Sequence, residues 1–209
     1  MRRGRGAGRL RFELDDRRRW SLWYLGEGSP VPLIQNVTLG AWIADQFLSL
    51  GDLEYSTVGS RRPPGGDAVV VRGRAGGVYL EAEFLASPPT ATPLATISLS
   101  VYPDRDLPSI KGVRFFQAPA PDVMLGVGGL VALVNGSHSG AGAHVRAVPP
   151  RADSPEITSY GALGLARETR GLALAFDPDD PGEGKVRISA GGVDAISDWT
   201  PARPVRPEG

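Results

Sequence analysis

Apolar and polar residues alternate along most of this chain, and the period is two rather than 3.6. Leu10–Leu14 (LRFEL) alternates over five residues and predicts a first strand, closed by the polar turn Asp15-Asp16-Arg17-Arg18. Trp20–Leu25 (WSLWYL) predicts a second, strongly aromatic strand. Leu33–Ile43 carries Ile34, Val37, Leu39 and Trp42 and predicts a third. Over Ala41–Leu50 a short helix competes, because Trp42, Ile43, Phe47 and Leu50 recur at nearly helical spacing. Leu53–Val58 predicts a short strand, followed by the Arg61–Gly66 turn (RRPPGG). Ala68–Arg72 and Val78–Leu85 predict a hairpin across Gly73–Gly77.

The stretch Leu94–Pro119 stands at the centre of this pattern. Ile97, Leu99 and Val101 alternate with Ser98, Ser100 and Tyr102, as in a half-buried strand. Pro103-Asp104-Arg105-Asp106 has the composition of a turn, and Ile110–Phe116 is β-rich again. A hairpin is the expected result, with a bulge at Gly112 where the alternation slips. Further strands are expected at Gly129–Val134, Ile157–Ala166, Leu172–Phe176, Lys185–Ser189 and Val193–Trp199, with Gly136–Asp153 the least regular segment. Thr200–Gly209 has three prolines and no apolar pattern, which predicts a linker. Strands this frequent, with turn residues between them, predict an all-β fold: a large antiparallel β-sandwich over residues 1–199.

Composition agrees with a packed domain. The chain has 209 residues, 41% of them hydrophobic, and its 28 glycines and 19 prolines supply many turns. It has no cysteine, which excludes disulfides and thiolate metal sites and favours a reducing compartment, so a cytoplasmic location is expected. The 23 Lys and Arg residues balance 23 Asp and Glu, so no global charge draws the chain to nucleic acid. Arg2, Arg3, Arg5 and Arg9 make a basic N-terminus, but no run approaches the ~20 apolar residues of a membrane span. Neither nucleic acid nor a membrane is therefore an expected partner.

No reaction centre emerges from the motifs. Gly126-Val127-Gly128-Gly129 lacks the third glycine of a dinucleotide loop, having Val131 there, and a strand pattern follows it instead of a helix. Gly136-Ser137-His138-Ser139-Gly140 has His138 where a nucleophile elbow needs Ser. His138 and His144 are the only histidines, which argues against a Ser/His/Asp153 arrangement and against a mutarotase-like His/Glu pair. Asp177, Asp179, Gly182 and Glu183 suggest a calcium loop, but Pro181 and Ile188 occupy ligand positions, so a tight acidic turn is expected. Glu81 and Glu83 share one strand face and are read as solvated neighbours rather than a glycosidase pair. No catalytic residue, metal ligand or cofactor is assigned.

Three features resemble the N-terminal β-supersandwich, of the galactose-mutarotase type, found in glycoside hydrolase family 36, the α-galactosidases and their raffinose-synthase relatives. They are the strand pair LATISLSVYPDRDLPSIKGVRFF, the loop Asn135-Gly136-Ser137-His138-Ser139-Gly140, and the ending from Ser159-Tyr160 through Leu165 and Leu172 to Asp198-Trp199. The resemblance implies a non-catalytic domain that packs on, and edges the sugar pocket of, a (β/α)₈ barrel in the same polypeptide. The barrel would follow residue 209 and carry the catalytic carboxylates. It implies Asn135, His138 and Ser139 as sugar-contacting residues and an α-galactoside or related sugar as ligand, with homo-oligomer formation left open. Two departures stand out: His138 replaces the family's Gln, and Gly140 replaces its loop Trp. The alternative is a stand-alone carbohydrate-binding or structural module. A row of exposed tryptophans on one sheet would favour that alternative.

Overall fold

The computed structural model describes residues 9–26, 28–63, 65–89, 93–103, 107–118, 131–135, 145–148, 157–167, 170–177, 179, 182–189 and 192–205. The fold is all-β. The first strands are β1 (Arg9–Leu14), β2 (Trp20–Leu25), β3 (Val31–Val37), β4 (Gly40–Ile43) and β5 (Gln46–Ser49), then a one-turn 3₁₀ helix at Leu50–Asp52. Next come β6 (Glu54–Arg61), β7 (Asp67–Ala75), β8 (Val78–Ala86), β9 (Ala95–Pro103), β10 (Leu107–Ala118) and β11 (Val131–Asn135). The last are β12 (Val145–Val148), β13 (Ile157–Tyr160), β14 (Ala162–Arg167), β15 (Arg170–Ala175), β16 (Glu183–Ser189) and β17 (Gly192–Val205).

These strands form four sheets, ordered β1-β2-β3, β6-β7-β8-β9, β12-β11-β14-β15 and β13-β16-β17-β10-β4-β5, with every pairing antiparallel. β8 shows how the pattern builds a sheet. Val78, Leu80, Ala82, Phe84 and Ala86 are buried while Tyr79, Glu81, Glu83 and Leu85 are not, the strict alternation of a strand with one face on a core. The two-residue turn into β8 places Gly76 and Gly77 at φ 58° and 82°, a backbone that a side chain would strain.

Trp20 is the hub of the core. It is 1% exposed, and its ring centroid lies 6.0 Å from those of Phe12, Phe84 and Phe116. Those three phenylalanines stand on β1, β8 and β10, so one indole joins three sheets. Its Nε1–H donates to the Phe115 carbonyl at 3.0 Å, which leaves no buried polar atom on the ring unpaired.

The structure corrects the predicted elements and their connectivity in five places. Leu94–Pro119 is not a hairpin: β9 completes its pairing along β8, whereas β10 runs between β4 and β17 in the six-stranded sheet. Alternation reports which face of a strand is buried, not which strand lies beside it. The bulge expected at Gly112 is present as a register shift between Ile110 and Gly112. Leu33–Ile43 is two strands in two sheets, β3 and β4, parted at Thr38-Leu39. Asn36, still within β3, takes φ 51° at the register shift between Trp20 and Leu22, and its N–H donates to Ser21 Oγ at 3.0 Å. Ala41–Leu50 is a β-hairpin with Ala44-Asp45 at its tip, followed by the 3₁₀ turn, not a helix. Gly161 likewise divides Ile157–Ala166 between two sheets. At the other end, the run read as a linker from Thr200 continues β17 to Val205, where Arg203 and Val205 pair with Ile110 and Leu107.

Candidate functional site: the outer face of the six-stranded sheet

The inner face of this sheet is apolar, carrying Ala41, Ile43, Val113, Val186, Ile188, Val193 and Ala195. Side chains that alternate with these face outward, and here they are aromatic and charged. Register sets Trp42 opposite Phe47 and Gly112, Gly112 opposite Asp198, and Arg187 opposite Asp194. Trp42 and Phe47 rings lie 5.0 Å apart, and the Arg114 guanidinium covers both, 4.7 Å and 5.1 Å from their centroids.

Arg114 also holds Asp194 with two nearly parallel hydrogen bonds, Nε to Oδ1 at 2.9 Å and Nη2 to Oδ2 at 3.3 Å. Arg187 approaches the same carboxylate at 3.5 Å, and its buried Nε–H has no hydrogen-bond partner among the described residues. Lys185 donates to Asp198 at 2.7 Å, and Lys111 to Asp45 at 2.6 Å. The hydrogen bond from Lys111, reinforced by its charge, holds the Asp45 carboxyl below its ordinary pKa. A cleft of about 180 Å³ opens between Trp42, Lys111, Gly112, Arg187 and Asp198, over buried Ile196. Gly112 lets β10 and β17 approach closely beside it: a Cβ there would stand 2.5 Å from the Ser197 carbonyl oxygen.

This arrangement offers planar donors, carboxylate acceptors and an aromatic edge along one face. Such a set suits hydrogen bonding to a polyhydroxylated ligand or to a polar protein surface. Asp194 and Asp198 are each engaged by a cation, Arg114 and Lys185. No family model, curated protein or solved structure matches this chain.

Of the residues chosen from the sequence, Asn135 ends β11 with its backbone opposite Val145. His138 and Ser139 lie outside the described residues, as do His144, Asp153 and Gly126–Gly129. Glu81 and Glu83 each have an arginine: Arg72 donates to Glu81 through Nε at 2.9 Å, and Arg61 pairs with Glu83. The Asp177 carboxylate accepts the Asp179 N–H at 2.9 Å, a tight turn closed on its own backbone. Among the described residues no three His, Asp or Glu side chains gather for a metal ion, and no helix is long and apolar enough to cross a membrane. Sequence reasoning missed the Arg114–Asp194 pair. Its one sequence signal was a charge inside each of two β-rich runs, KGVRFF and VDAIS.

Proposed function

We propose that this chain is the non-catalytic N-terminal supersandwich of an α-galactosidase-like glycoside hydrolase, set against a catalytic (β/α)₈ barrel whose sugar pocket it edges. A layered all-β fold with a polar, aromatic outer sheet face supports the reading, because faces between domains of one polypeptide are more polar than a core. We assign the Trp42–Arg114–Asp194 face to the barrel and the loop of Asn135, His138 and Ser139 to the sugar. The disposition of the tryptophans carries this reading over the stand-alone binding module. Trp20 is in the core, Trp23 is half-buried, and half-buried Trp42 lies beneath Arg114, so these three form no open row for stacking sugar rings.

The test is hydrolysis of p-nitrophenyl α-galactoside by a longer protein that continues past Gly209. Hydrolysis is expected, with KM raised several-fold by Asn135→Ala and His138→Ala. Unchanged kinetics in both variants would remove the loop from the sugar site. Calorimetric titration of residues 1–209 with galactose and raffinose addresses the alternative, since millimolar or tighter binding by this chain alone favours the module.

A further inference from the structure

A second, larger cleft of about 410 Å³ lies where β1 meets the ends of β6, β7 and β8. Its floor is apolar, with Leu10, Phe12, Ala68 and Ala86 all buried. Its rim is basic: Arg9 and Arg11 from β1, Arg61 at the end of β6, and Arg62 just beyond it. Asp67 is the one carboxylate among the described residues of the lining, and it is shared. Arg62 donates to it through Nε at 2.9 Å, and Arg9 pairs with its other oxygen. Arg61 and Arg11 turn part of their forks to Glu83 and Glu13. Four guanidinium groups therefore face three carboxylates in a chain whose overall charge is balanced.

Each guanidinium carries five N–H donors, and these ion pairs engage only one or two apiece, so the rim keeps donors in surplus over acceptors. The arginines also stand on different strands. A planar carboxylate ligand matches a single fork. A tetrahedral oxyanion presents oxygens in several directions and can take forks from more than one strand. The apolar floor gives room for the body that carries it, and the cleft is of the size that holds small ligands.

We propose that this cleft binds a small phosphomonoester, with Arg9, Arg61 and Arg62 receiving the phosphate. The proposal stands apart from the glycosidase reading, since it involves neither the barrel nor the loop at His138. The test is calorimetric titration of the 209-residue chain with a hexose 6-phosphate, the parent hexose, inorganic phosphate and vesicles of phosphatidylcholine containing phosphatidic acid, at matched ionic strength. Saturable binding of the hexose phosphate is expected, with inorganic phosphate weaker and the parent hexose silent. Arg61→Gln and Arg62→Gln should each weaken binding about tenfold, the strength of one charge-assisted hydrogen bond. Arg62 is 82% exposed on its side chain, so Arg62→Gln should leave the melting temperature of the free protein in place. No saturation by the hexose phosphate, equal binding of the unphosphorylated hexose, binding to vesicles alone, or unchanged affinity in both variants would overturn the proposal.

Discussion

Replacing Trp20 tests whether the three sheets that meet at its indole share one core. The indole contributes ring contacts to Phe12, Phe84 and Phe116 and one hydrogen bond to the Phe115 carbonyl. Trp20→Ala removes all of these. A large aromatic truncated in a core costs roughly 3–5 kcal/mol, and stranding the part-buried Phe115 carbonyl costs up to about 1–3 kcal/mol more. Trp20→Phe keeps most of the ring burial and chiefly isolates the hydrogen bond, so about 2 kcal/mol is expected. For a chain of this size each kcal/mol lowers Tm by about 2–4 °C, which places Trp20→Phe roughly 4–8 °C below the parent. Urea titration followed by near- and far-ultraviolet circular dichroism measures both variants. The double variant Trp20→Ala/Phe84→Ala should show a coupling of about 0.5–1.5 kcal/mol, the worth of an aromatic pair. A loss under about 1 kcal/mol for Trp20→Ala, or sheets that melt in separate transitions, would refute the shared core.

Three further outcomes are expected. Arg114→Lys loses the bidentate clasp on Asp194 and the cover over Trp42 and Phe47; both charges are about one-fifth exposed, so the loss should be ~1–2 kcal/mol by chemical denaturation. Gly112→Ala drives a methyl into the Ser197 carbonyl at 2.5 Å and should cost roughly 1–3 kcal/mol, with calorimetric Tm as the readout. Asp15 supplies the pH dependence. Partial burial pushes its pKa up, but hydrogen bonds from the backbone and side chain of Arg19 and the backbone of Arg17 outweigh this and hold it below the ordinary value. Its contribution is therefore complete above about pH 4 and lost as pH falls through the depressed value, so Asp15→Asn should flatten the acid limb of a stability–pH curve.

Much of the fold could be read from individual residues. Val78–Ala86 announces its buried and exposed faces, and the slip at Gly112 announces a bulge that is there. What alternation does not carry is the identity of a strand's neighbour. β9 and β10 are adjacent in sequence and part into different sheets, while β10 meets β17, whose residues lie about 80 positions on. The same separation hid the outer-face site. Arg114 and Asp194 are 80 residues apart, and each alone is one charge in an apolar run. Ala41–Leu50 satisfied both periods at once, and its hairpin was settled by pairing with β10.

The order of strands in the six-stranded sheet bears on how the chain is made. β4 and β5 leave the ribosome early, their neighbour β10 some sixty residues later, and β17, which flanks β10 on its other side, later still. Until β17 arrives, β10 is an uncovered ribbon edge twelve residues long, able to recruit any passing strand. Contacts this distant in sequence close slowly, so assembly of this protein should be most vulnerable to clumping in the interval before its final strand is synthesised.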